Sequence, residues 1–169
     1  EAAVSVLRKA LRVGSKERVT FSLPSQSVFT RFVKLPGSSP EEVDSIIGFE
    51  AQQNVPFPID EVVWDYQIMG EAKDNQWDVV LVAIKADQLD EINASVNRGG
   101  LRALTIDVAP MALSNAFRYN YSELTGCSLL IDIGARTTNL IFIENKRVFS
   151  RSIPVGGSTI SAAIAKELK

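Results

Sequence analysis

Histidine is absent from the sequence, and cysteine occurs once. Without histidine the chain lacks the commonest general base near neutral pH and the commonest metal ligand. A Ser-His-Asp hydrolase and a zinc enzyme are therefore argued against. The lone Cys127 has no partner for an internal disulfide. It is expected as a small core residue at the start of a buried strand, which fits a reducing compartment. No charge of one sign dominates: 18 basic and 20 acidic residues give a net charge of −2, with both signs interspersed. The absence of a basic patch argues against a nucleic-acid partner. There is no run of ~18 apolar residues that would span a membrane, and no signal-peptide pattern. What remains is the composition of an ordinary globular protein. Its 169 residues suffice for one ordinary domain or two small ones.

The pattern along the chain alternates strands and helices. Residues 1–12 form an amphipathic helix, with Ala3, Val4, Leu7, Ala10 and Leu11 on one face and Gly14 as its stop. Arg18 to Leu23 alternates as a half-buried strand, broken by Pro24-Ser25-Gln26-Ser27, and Val28 to Leu35 is a second strand. Ser39, Pro40 and Glu42 make a capping box for a helix whose inner stripe is Val43, Ile46, Ile47 and Ala51. Pro56 and Pro58 end it. Val62, Trp64, Tyr66 and Ile68 share one face of the next strand, and the two aromatics are expected to cover the helix stripe. A polar loop follows over Gly70 to Asn75. Asp78 to Ile84 reads as a central strand buried on both faces. A helix from Ala86 to Arg98, a strand from Leu101 to Val108, and a short helix from Pro110 to Tyr119 with Leu113 and Phe117 inward complete an α/β crossover unit.

The stretch with the most chemistry is Leu129 to Ile143. Two short apolar runs, each reading as a buried strand, flank a turn that opens on Asp132-Ile133-Gly134 and continues Ala135-Arg136-Thr137-Thr138-Asn139. Gly134 permits a sharp turn. The turn's N–H groups and the Thr137 and Thr138 hydroxyls can face a phosphate, and Asp132 can hold a hydrated Mg²⁺. Arg136 is either a further phosphate contact or a solvent-facing turn residue. A third strand (Arg147 to Ile153), then Gly156-Gly157 and a helix with Ile160, Ala163, Ile164 and Leu168 on one face, follow. The chain begins with Glu1 inside a helical pattern and stops one helix after the meander, so it reads as a piece of a longer protein.

The segment from Leu129 to Leu168 resembles the second large domain of the PilM family of type IV pilus assembly proteins, relatives of the division protein FtsA. The segments from Val19 to Pro36, from Gly99 to Phe117, and above all Phe49 to Gln67 (FEAQQNVPFPIDEVVWDYQ) are similar to the same family. The resemblance implies an α/β, actin-like (ribonuclease-H-like) fragment carrying an inserted strand–helix–strand–strand subdomain, called 1C and SHS2-like. It divides the chain into 1–27 and 105–125 as parts of domain 1A, 28–104 as the insert, and 126–169 as the start of domain 2A. It makes Asp132, Gly134, Thr137, Thr138, Gly156 and Gly157 the expected nucleotide neighbours, with Asp132 holding Mg through water. The family often has an acidic residue where this chain has Ser158.

The resemblance implies Mg-ATP as the cofactor of the longer protein. The first phosphate hairpin and the adenine pocket would lie outside this chain, so tight ATP binding is not expected of it alone, and no residue that would orient an attacking water is identified. The implied partner is the cytoplasmic tail of a PilN-like membrane protein, docking between 1A and 1C, with other pilus platform proteins nearby. Ser27, Phe29, Arg31, Ile46 and Glu50 are the expected neighbours of that tail. The implied location is cytoplasmic, peripheral at the inner membrane. An FtsA-like division protein and a kinase of the same superfamily are the alternatives. An open strand edge and an uncovered apolar face over 126–169 are expected, inviting pairing with another copy, with or without exchanged elements.

Overall fold

A computed structural model of the chain describes residues 2–37, 39–69 and 75–168. Five helices and eight strands are arranged in three small sheets among these residues. The elements run α1 (Ala2–Ala10), β1 (Glu17–Leu23), β2 (Phe29–Pro36), α2 (Pro40–Asn54), β3 (Val62–Ile68), β4 (Gln76–Lys85), α3 (Ala86–Arg98), β5 (Leu101–Val108), α4 (Ala109–Asn120), β6 (Cys127–Ile133), β7 (Thr138–Glu144), β8 (Arg147–Ile153) and α5 (Gly157–Glu167). Of the polar loop expected over 70–75, only Asn75 lies within the described residues.

Helix α1 does not run to Gly14. Arg12 adopts φ 54°, its N–H donates to the Lys9 carbonyl at 3.1 Å, and the Val13 N–H reaches the Arg8 carbonyl at 3.0 Å. This pairing closes a helix with a left-handed residue, so the stop falls two residues before the glycine. Strand β1 then pairs in parallel with β5, and the intervening helix α3 packs on β5, as a crossover requires. Leu104 is passed over in the register and bulges outward. The boundary expected at residue 104 falls inside β5.

The chain between β1 and β5 forms a separate antiparallel sheet ordered β2-β4-β3. Ser39 caps α2, accepting from the Glu42 N–H at 3.4 Å, with Pro40 at the first turn. The stripe Val43, Ile47 and Ala51 is buried, with Ile46 packed at its margin. It meets Leu35, Val79 and Leu81, and Trp64 and Tyr66 pack against the same cluster, as their shared strand face predicts. The Tyr66 hydroxyl bonds the Asp44 carboxylate on α2, which pushes the phenol pKa up. The other face of β4 (Val80, Ile84) joins a second core with Leu23, Val28, Met69, Val108, Met111, Ile141, Ile143 and Val148.

The meander β6-β7-β8 contributes its inner face to that second core. The Phe32 and Phe149 rings lie 5.1 Å apart, and an Arg147–Asp78 ion pair at 3.1 Å ties β8 to β4. Three sequence expectations change here. The first apolar run is not buried: Leu129, Ile131 and Ile133 are exposed on the outer face of the meander, where Phe142 of the central β7 is exposed as well, and they belong to the uncovered apolar face expected over 126–169. Cys127, on the same face, is exposed rather than core. On α4 the inward residues are Met111, Ser114 and Phe117, and Leu113 is turned outward, one step around the helix. The apolar side of α5, Ile160, Ile164 and Leu168, is also exposed.

Leu81 is fully buried at the centre of β4. Leu81→Ala should cost about 2–5 kcal/mol by transfer and cavity terms. Ser39→Ala should cost only about 1 kcal/mol through the lost cap. Urea denaturation of the two variants checks the order, and near-equal losses would contradict this account of the core.

Candidate functional site

Ile133 pairs with Thr138, so the β6–β7 turn is the four residues Gly134 to Thr137, closed by the Gly134 N–H donating to the Thr137 carbonyl at 2.9 Å. The turn leans on the start of α5. The N–H groups of Gly157 and Ser158 donate to the Gly134 and Ala135 carbonyls, each at 2.9 Å. A helix start leaves its first N–H groups without intrahelical partners, and the turn's carbonyls satisfy two of them. Gly156 is what allows this approach: a Cβ there would lie 2.6 Å from the Gly134 oxygen and 2.8 Å from the Ala135 carbonyl. At Gly157 the nearest atom would be 3.7 Å away.

The six residues expected around a phosphate are thus brought together, but they divide into two groups. The Thr138 hydroxyl donates to the Val155 carbonyl at 2.7 Å and is buried, so it braces the loop before α5. The Gly157 N–H is spent on the turn, and Gly156 is buried beneath it. These three, and Gly134, whose N–H closes the turn on the Thr137 carbonyl, support the hairpin instead of presenting donors outward. The outward set is the Asp132 carboxylate, the Thr137 hydroxyl, and the N–H groups of Ala135 and Arg136, which have no acceptor among the described residues. The Arg136 side chain is exposed.

Four residues not nominated from sequence complete the cluster. Asn139 stands opposite Asp132 in the strand register, and its Nδ2 donates to Asp132 Oδ2 at 2.8 Å. Asn139 Oδ1 accepts from Ser25 Oγ at 2.6 Å and from Ser152 Oγ. Gln26 Nε2 donates to Thr137 Oγ1 at 2.8 Å. Asn139 is only 6% exposed. The signal was present in the alternation Asn139, Ile141, Ile143, which puts a carboxamide on the buried face of a strand. Ser25 and Gln26 carried no such signal, because they arrive from more than 100 positions away in sequence.

A divalent ion fits this donor set in one way. Among the described residues no group of three or more His, Cys, Asp or Glu side chains converges. Asp132 alone, with one oxygen held by Asn139, suits a hydrated Mg²⁺ that takes its other ligands from water and phosphate.

A groove of about 300 Å³, lined by none of these residues, runs between the β3–β4 side of the three-stranded sheet and β5–α4. Val80, Val82, Ile106, Val108 and Met111 supply its apolar lining, and Asp65, Gln67, Asp107 and Asn115 its polar groups. Both β3 and β5 are edge strands.

A sequence model of the family described as type IV pilus assembly protein PilM matches residues 1–169. The chain belongs to the PilM family. Its structure is similar to one in a PilM–PilN type IV pilus biogenesis complex, with a TM-score of 0.79 and 25% identity over 98% of this chain. It is also similar to the cytoplasmic domain of EpsL, an inner-membrane component of the Vibrio cholerae type II secretion system, with a TM-score of 0.60 and 10% identity over 97% of this chain. The fold is that of a fragment of the actin-like ATPase family. The chain spans 52% of the first of these proteins and 60% of the second.

The five residues expected beside a partner tail do not line the groove of this PilM-family chain. Phe29 packs with Val55, Val62 and Ala83 on the α2 side of the sheet, and Ser27 and Phe29 together line a different pocket of about 330 Å³. Arg31 is exposed on β2, the edge strand opposite β3. Ile46 packs at the margin of the α2 core, and the Glu50 carboxylate accepts from Asn54 Nδ2 at 3.2 Å. Period-two alternation puts the odd-numbered residues of β2 on the α2 face, whereas the groove is built on the opposite face.

The two glycines before α5 should respond differently to alanine. Gly156→Ala forces backbone apart and should destabilise the hairpin by about 1–3 kcal/mol or more. Gly157→Ala has room. Amide exchange of Gly134 to Asn139 should accelerate in the first variant and stay near the unmodified rate in the second.

Proposed function

We propose that this chain is the partner-holding part of a pilus assembly platform protein, and that it supplies one phosphate hairpin to a nucleotide site completed by the longer protein. The observation that carries the partner half is the groove flanked by two open sheet edges, on a chain that matches the PilM family throughout. An extended peptide can add to a strand edge through its backbone while alternate side chains enter an apolar floor. The two rim aspartates suit a segment in which apolar residues alternate with basic ones. A PilN-like cytoplasmic tail is the occupant this reading assigns, and the inserted β2–α2–β3–β4 module forms one wall of its site. In the same reading the protein is held at the cytoplasmic face of the inner membrane by that partner. No helix among the described residues is long and apolar enough to cross a membrane.

The cofactor half rests on the hairpin. Asp132, Thr137 and the free N–H groups of Ala135 and Arg136 would hold a phosphate and its hydrated Mg²⁺. Bound there, Mg²⁺ would neutralise phosphate charge. One hairpin offers too few contacts to offset ordering and desolvation costs, so ATP binding belongs to the longer protein.

Calorimetric titration of the longer protein with a peptide from the cytoplasmic tail of a PilN-like membrane protein tests the first half. Asp65→Lys and Val82→Asp should each weaken binding at least about tenfold, as loss of a well-buried contact does, and Arg31→Ala should leave it unchanged. Loss with Arg31→Ala alone would move the tail to the β2 edge. For the second half, Asp132→Ala should lower Mg-ATP affinity of the longer protein by about tenfold or more, the scale of a charge-assisted contact. Unchanged affinity would remove Asp132 from the site.

A further inference from the structure

The turn after β1 reaches onto the meander: Ser25 Oγ donates to Asn139 Oδ1 and lies 2.8 Å from Ser152 Oγ on β8, and Gln26 Nε2 donates to Thr137 Oγ1. The Asn139 carboxamide has one acceptor oxygen and one NH₂. Its oxygen is held by the Ser25 and Ser152 hydroxyls, and that fixes the amide so that the NH₂ meets Asp132 Oδ2. The second oxygen of Asp132 has no hydrogen-bond partner among the described residues. Gln26 Nε2 occupies a lone pair of Thr137 Oγ1, so the Thr137 hydroxyl proton is not directed at Gln26 and is left to donate elsewhere.

We propose that Asn139, Ser25 and Gln26 are positioning residues of the phosphate site: Asn139, clamped by Ser25, aims the Asp132 carboxylate at a hydrated divalent ion, and Gln26 turns the Thr137 hydroxyl proton toward a phosphate oxygen. The site is then assembled from two distant segments, and its donors and acceptor are ordered before any ligand arrives. Pre-ordering lowers the cost of binding. This rests on the reading of the hairpin as a phosphate loop. A network that merely glued two segments together would affect stability without distinguishing magnesium-bound from magnesium-free nucleotide.

The test is ATP affinity of the longer protein, measured in Mg²⁺ and again in EDTA, with hairpin amide exchange in the absence of nucleotide as the check on folding. Asn139→Ala should shrink the magnesium-dependent gain by about tenfold, the loss of one hydrogen bond to a charged group, with affinity in EDTA within about twofold of the unmodified protein. Gln26→Ala should weaken binding about fivefold in both conditions, since it acts through a neutral hydroxyl. If Asn139→Ala loses hairpin protection, Ser25→Ala and Ser25→Thr decide: the first should reduce the magnesium gain and the second restore it. A magnesium gain unchanged in Asn139→Ala, or in Ser25→Ala where that pair decides, overturns the positioning role while leaving the phosphate reading intact. No Mg-ATP binding by the unmodified longer protein overturns that reading and this inference with it.

Discussion

The structure depends on one strand being buried on both faces. Along β4, Val79 and Leu81 point to α2 and Val80 and Ile84 point the other way. Burying a Val or Leu side chain is worth about 1.5–3 kcal/mol, and this strand collects that gain twice over its length. Its first face folds the β2–α2–β3–β4 module onto itself. Its second face gives that module an apolar side which must be covered, and β1, β5, α4 and the meander cover it. Without the second face the three sheets would have no common core.

The polar site is a consequence of that apolar contact. Ile141, Ile143 and Val148 bring the inner face of the meander down on the shared core. The same face carries Asp132, Asn139 and Ser152 toward its end, where the turn after β1 approaches. A buried carboxamide is costly unless its groups are paired, and here both its oxygen and its nitrogen are paired by residues of that face and of the turn. The packing places the segments, and the hydrogen bonds then select one arrangement of their side chains.

The hairpin and the groove present different chemistry. The hairpin offers directed donors and one carboxylate with little apolar surface, which suits a small anion with a bound cation. The groove offers an apolar floor and two open backbone edges, which suits a peptide. They share β1, β5 and α4 as a frame: the turn at the end of β1 touches the hairpin, and β5 and α4 wall the groove. The proposed platform role asks for both on one scaffold.

Much of this was legible in the amino-acid order, because it depends on near neighbours. The period-two run of β3, the proline-bounded α2 with its Ser39 cap, the two-faced β4 and the D-x-G hairpin follow from local periodicity and turn chemistry. The resemblance of Leu129 to Leu168 and of Phe49 to Gln67 carried the family as well. An uncovered apolar face over 126–169 was expected, but that Leu129, Ile131 and Ile133 belong to it was not legible, since an apolar run reads the same whether or not another layer packs on it. Nor was the spending of the Thr138 hydroxyl and the Gly157 N–H on neighbouring carbonyls, nor the placing of Phe29 and Arg31 on the face opposite the groove. Sequence by itself determined the elements, the turn and the candidate carboxylate, because those are set by residues a few positions apart. Only the tertiary structure decided which donors stay outward and which distant side chains aim them, because Ser25 and Asn139 meet through a shared core that no local pattern encodes.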